Sequence, residues 1–149
     1  MNVTREHIGL TSDRYEVVVE QGHIRRFNQA VGDSNPIYSD ASVAKKSAYG
    51  AVITPLTFPI ALRDDAVQLP IKLDVRRMLH GEQSFTYHQP MRPGEVYSAQ
   101  MKVADIYEKE GKSGPMQFII IDTEFRNAQE ELAVVSRMNI VYRTNKGRQ

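Results

Sequence analysis

The chain of 149 residues contains no cysteine. That absence excludes a disulfide framework, a thiolate metal site and a cysteine nucleophile. An excess of one charge is also missing. Nineteen Lys and Arg against eighteen Asp and Glu leave a net charge of +1, which gives no electrostatic footprint for nucleic acid. No apolar run approaches the ~20 residues needed to span a bilayer. The stretch Met1 to His7 lacks the charged and apolar regions of a signal peptide. There is no Gly-x-Gly-x-x-Gly and no P-loop, so no nucleotide cofactor for redox or phosphoryl chemistry is indicated. The histidines His7, His23, His80 and His88 lack paired metal-ligand spacing. These absences set the expectation of one cytoplasmic domain, residues 1–149, with no cofactor, no metal, no nucleic-acid partner and no membrane partner.

What is present divides into a loop-and-helix half and a strand-rich half. Tyr15 to Glu20 holds a β-branched run and reads as a strand. Gln21 to Val31 places Ile24, Phe27, Ala30 and Val31 near helical spacing. Gly32 suits its C-cap. Asp40 can cap a short helix from Ala41 to Lys46. Thr54 and Pro55 look like a helix start. The apolar residues Leu56, Phe58, Ile60, Ala61 and Leu62 predict a buried helix from Pro55 to about Ala66. Four strands are expected after it, near Arg77 to His88, Val96 to Glu108, Met116 to Asn127 and Leu132 to Thr144. In the last, Val134, Ser136, Met138, Ile140 and Tyr142 share one face. A long antiparallel sheet with one covered face fits this alternation. The fold class is therefore α+β, with a central helix against a curved antiparallel sheet. The sheet's open edge points to a dimer.

The informative segment is Phe27 to Asp40, which contains Gly32-Asp33-Ser34-Asn35-Pro36-Ile37-Tyr38-Ser39-Asp40. It resembles the motif of the MaoC-like hydratase/dehydratase family, namely Gly-Asp, a variable residue, Asn-Pro, an aliphatic residue, His, a variable residue and Asp. Every element is present except the histidine, where Tyr38 stands. Ala48 to Pro55 looks like the entry to the family's central helix. Leu79 to Gln83 and Tyr87 to Glu95 look like its first long strand and following turn. The Tyr-for-His variant is most similar to the N-terminal-type MaoC dehydratase domain. Those domains occur beside, or as partners of, a hot-dog domain with the intact motif.

The resemblance implies a hot-dog fold and an acyl-thioester hydratase or dehydratase. The substrate class would be enoyl or (R)-3-hydroxyacyl chains on CoA or acyl carrier protein. It assigns Asp33, Asn35 and Tyr38 to the catalytic position. It assigns Gly50, Ala51, Val52, Thr54, His80 and Gly81 to substrate binding. In the family chemistry an aspartate and a histidine around one water share the proton transfers. Backbone N–H groups at a buried helix start, here the region Gly50 to Thr54, stabilise the thioester oxygen. Tyr38 alters that scheme, because a phenol of pKa ~10 donates a hydrogen bond at neutral pH but is a poor general base. This opens a second reading, a non-catalytic acyl-binding subunit whose hot-dog partner supplies the intact Asp/His pair. Bland roles remain open for single residues. Asp33 and Asn35 suit an Asx-turn, Asp40 a helix cap, and Tyr38 a packed aromatic. Arg76 and Arg77 could reach a CoA phosphate or lie in solvent. A hot-dog thioesterase is a weaker alternative, since Asp64 and Asp65 fall late on the expected helix.

Overall fold

The computed structural model describes residues 3–111 and 114–143. The regular elements are β1 (Tyr15–Val18), α1 (Gln21–Val31), α2 (Ala41–Lys45), β2 (Met78–Tyr87), β3 (Val96–Gly111), β4 (Gly114–Arg126) and β5 (Leu132–Arg143). Single 3₁₀ turns occur at Arg5–His7, Pro36–Tyr38, Phe58–Ala61 and Val75–Arg77. The strands form one antiparallel sheet in the order β1-β3-β4-β5-β2. The expected Thr144 end of the last strand, and Lys112 and Ser113 of the turn before β4, fall outside the described residues.

Local chemistry explains most of these boundaries. In α1 the residue that faces the sheet, Ile24, is fully buried. Gly32 ends the helix with φ 73° and donates its N–H to Asn28 O. That left-handed conformation is unstrained only for glycine. Asp40 accepts from the N–H groups of Ser42 and Val43, which otherwise lack helical acceptors. In β5 the residues Val134, Ser136, Ile140 and Tyr142 are buried and Met138 is half-buried. The expected face therefore packs inward.

The core has two parts on the same sheet face. One groups Ile24, Phe58, Tyr97, Phe125 and Val134. Phe58 meets His23 and Phe27 edge to face, with ring centroids 5.0 and 5.4 Å apart. The other groups Ile106, Ile119, Ile121, Ile140 and Tyr142.

One expectation fails. Residues 55–66 do not form the central helix; only Phe58–Ala61 makes a 3₁₀ turn. Proline explains it. In a helix starting at Pro55, position 59 is the fifth residue, whose N–H should bond the Pro55 carbonyl. Pro59 has no such N–H, and its ring clashes with that carbonyl. The residue before it, Phe58, is also pushed away from α geometry. Beyond the turn the chain runs on as an extended strap. Val67, Leu69, Ile71 and Leu73 are half-buried, while Gln68, Pro70 and Lys72 are exposed. This is strand-like alternation without a strand partner. Val67 N–H bonds Asp64 O and Asp74 N–H bonds the Tyr142 hydroxyl. Among the described residues no backbone hydrogen bond holds the strap between these two points. The strap is held by its side chains, three of which pack on the second part of the core beside Met78, Met101 and Met138.

Candidate functional site

An open groove of about 650 Å³ runs between α1 and the loop after it. Gln21, Arg25 and Asn28 border it on one side, and Asp33, Asn35 and Tyr38 on the other. The loop is built from its own side chains. Asp33 Oδ1 accepts from Asn35 N–H at 3.0 Å, and Asn35 Oδ1 accepts from Ile37 N–H at 3.1 Å. The Asx-turn role of both residues is thus realised, and Asn35 also caps the turn that carries Tyr38. Gln21 Nε2 donates to Tyr38 O at 3.2 Å and ties the turn to the start of α1.

These turns do not consume the site. The Tyr38 phenol lies close enough to the Asp33 carboxylate to feel its charge. Burial pushes the phenol's pKa above its ordinary value, and the nearby Asp33 charge and Tyr49 push it further. Tyr38 is therefore a neutral hydrogen-bond donor at neutral pH. Tyr49 and Tyr87 extend the cluster. Tyr87 donates its hydroxyl to Leu56 O at 2.9 Å. Burial raises its pKa strongly; the Thr54 hydroxyl opposes the rise, and Tyr38 and Tyr49 add to it. The motif loop, the 49–56 segment and the end of β2 thus carry three phenols near enough for their charges to influence one another.

The structure gathers some of the expected binding residues and not others. Gly50 takes φ 67°, a left-handed turn position, and Arg92 Nη2 donates to Tyr49 O at 3.1 Å just before it. Thr54 is fully buried, and its N–H is used by Met91 O at 2.9 Å. Since no helix comes after it, no helix dipole points at the groove, which corrects the expectation for this segment. The N–H groups of Ala51 and Val52 find no acceptor among the described residues and remain as donors. His80 is exposed on the edge strand β2, seven residues from Tyr87. At ~3.3 Å per residue that is roughly 23 Å away, so within one chain neither His80 nor Gly81 belongs to the groove. Gly81 sits at a bulge in β2, where an added Cβ would come within 2.8 Å of Val141 Cγ2. Arg76 and Arg77 are engaged within the chain. Arg76 forms a fork with Asp74 at 3.0 and 2.9 Å. Arg77 stacks on Tyr142, 4.6 Å from the ring centroid, and donates to Arg143 O.

Sequence reasoning missed Tyr49, Tyr87 and Arg25. Tyr87 carried one faint signal, its inward position in an alternating strand. His23 packs its ring edge-on against Phe58. Among the described residues no group of three or more His, Asp or Glu could hold a metal ion, and no helix is long and apolar enough to cross a membrane.

The sheet, the helix on its inner face and the motif loop define a MaoC-like hot-dog domain of dehydratase type. Residues 6–136 match the family described as FAS1-like, dehydratase domain region, and the chain belongs to that family. A UPF0336 protein of Thermobifida fusca (strain YX) is 32% identical over 151 residues, covering 96% of this chain and 95% of the relative. One from Streptomyces avermitilis is 45% identical over 89 residues, 56% of this chain and 58% of the relative. Solved structures share the fold. The ChsH1-ChsH2 complex from Mycobacterium tuberculosis aligns with TM-score 0.74 and 20% identity, over 92% of this chain and 86% of that one. A C-terminally truncated HadBC (3R-hydroxyacyl-ACP dehydratase) complex from the same organism gives 0.72 and 21%, over 91% and 96%. A MaoC-like dehydratase from Rhodospirillum rubrum gives 0.65 and 21%, over 93% and 94%.

Proposed function

We propose that this chain is the acyl-binding half of a cytoplasmic hydratase/dehydratase pair acting on enoyl or (R)-3-hydroxyacyl chains carried by CoA or acyl carrier protein. Its hot-dog partner would supply the intact Asp/His motif. The observation that carries this reading is Tyr38. A neutral phenol with a raised pKa occupies the place where the chemistry needs a base near pH 7. The missing helix start after Thr54 supports it, because preorganised donors are the second requirement of the reaction. Two of the structures that share the fold are complexes of two named subunits, which agrees with a paired assembly. The strap supports the acyl-binding part. A cover held by side chains alone, over Met78, Met101 and Met138, can yield to a long apolar guest, since methionine repacks readily.

The test measures hydration of enoyl-CoA substrates of several chain lengths. The protein alone should give no turnover above background, and adding an intact-motif hot-dog subunit should give turnover that neither shows alone. A second reading, a self-sufficient homodimeric hydratase, is favoured by the closeness of Asp33 and Tyr38 in one groove. Turnover by the pure homodimer, abolished in Asp33→Ala, would establish that reading and sink the first.

A further inference from the structure

The outer face of the sheet, opposite the core, carries an ordered set of cross-strand rows. Leu79, Val141, Phe118 and Tyr107 are register partners across β2, β5, β4 and β3 and form one apolar row. Leu79 is 50% exposed and the other three are half-buried. The Tyr107 and Phe118 rings stack with centroids 4.9 Å apart. On one side lies the row Arg143, Met116 and Lys109, with the Lys109 ammonium 5.3 Å from the Tyr107 ring centroid. On the other side lies the row Glu82, Asn139, Ile120 and Asp105. The face therefore reads cationic, apolar, acidic, in steps of roughly 7 Å along the strands.

From this pattern we infer that the outer face binds a second copy of this chain, back to back, about a two-fold axis lying along the apolar row. A two-fold interface must be self-complementary, and this pattern is so for one axis. Rotation about the apolar row sets each of its residues against itself and exchanges the rows beside it. Lys109 then faces Asp105 of the second copy, Met116 faces Ile120, and Arg143 faces Asn139. Charge meets opposite charge, and apolar meets apolar. The alternative axis, along the strands, would face Lys109 with Arg143 and is repelled. Neighbouring charges leave the acidic side available. Arg137 lies near Asp105, but its hydrogen bonds go to Asp122, both at 2.7 Å. Two aligned sheets packing about 10 Å apart is an ordinary geometry for such faces. The contact uses outward side chains of β2 but leaves the backbone edge of that strand and the groove free, so it is compatible with a hot-dog partner and does not depend on one.

Sedimentation equilibrium of the purified chain over a concentration series tests this, with circular dichroism as the control for folding. Phe118→Glu should halve the mass of the largest particle. Lys109→Glu, a change in an exposed side chain, should weaken association about tenfold. The double variant Lys109→Glu/Asp105→Lys should restore it, because each reversed charge again meets its opposite. A particle whose mass is unmoved by Phe118→Glu overturns the interface; if that variant misfolds, unchanged association of Lys109→Glu overturns it. Failure of the double variant to recover association overturns the axis, and with it the proposal.

Discussion

The two parts of the covered sheet face are built on different principles. One lies beneath α1 and the Phe58 turn. There the helical backbone is hydrogen-bonded within itself, and Phe58 locks between His23 and Phe27. The other lies beneath the strap of residues 67–74. There, among the described residues, no backbone hydrogen bond lies between Val67 N–H and Asp74 N–H. The motif loop sits on the first part, and the apolar cover sits on the second. The fold has joined a rigid support for polar groups to a yielding support for an apolar chain. Local stability reflects that division, because segments with few backbone hydrogen bonds open at low cost.

Native-state hydrogen exchange is the most sensitive way to break this comparison. Amides of β4 and β5 should be protected at least about a thousandfold more than those of residues 68–73, whose openings need no ladder to break. Equal protection in both regions would show that the strap is as firmly held as the sheet. Phe58→Ala comes next. Phe58 is fully buried, so its truncation should cost about 3–5 kcal/mol in chemical denaturation. A loss below about 1 kcal/mol would mean that the helix-side part is not the anchor. Ile71→Ala should cost less, about 1–2 kcal/mol, because the side chain is half-buried and the strap can resettle. In an active pair the same variant should raise KM more than it lowers kcat. A fall in kcat with KM unchanged would separate the strap from acyl binding.

The contrast also explains what could be read from the residues alone. α1, its Gly32 cap, the Asp40 cap and the four long strands were legible because each is set by local pattern. Residues 55–66 were not. Leu56, Phe58, Ile60, Ala61 and Leu62 are apolar all round, so they carry no period, and Pro59 bars the helix their composition suggests. In the candidate site, the Asp33–Tyr38 loop was legible as a contiguous motif. Tyr49 and Tyr87 were not, since their approach depends on how distant segments fold together. The neighbours of His80 in the sequence look suitable, and within one chain an extended strand carries it away from the Tyr87 end.

The smallest effect tests the polar part directly. Tyr38 is one of seven tyrosines, so the difference between wild-type and Tyr38→Phe phenolate absorbance isolates its titration. Its midpoint should lie above the ordinary phenol value of about 10. Burial is the first cause and Asp33 the second. Asp33→Asn should therefore lower the midpoint but leave it above that of a free tyrosine. The same shift fixes the sign for stability. A phenol whose pKa is higher in the folded than in the unfolded state favours folding at pH values below the unfolded pKa. That contribution is lost as pH rises through the folded pKa, so the loss falls in the alkaline range and leaves neutral pH untouched. A Tyr38 midpoint at or below that of free tyrosine would make the residue available as an ionised group under mildly alkaline conditions. The distinction drawn between a neutral donor here and a base on the partner would then fail.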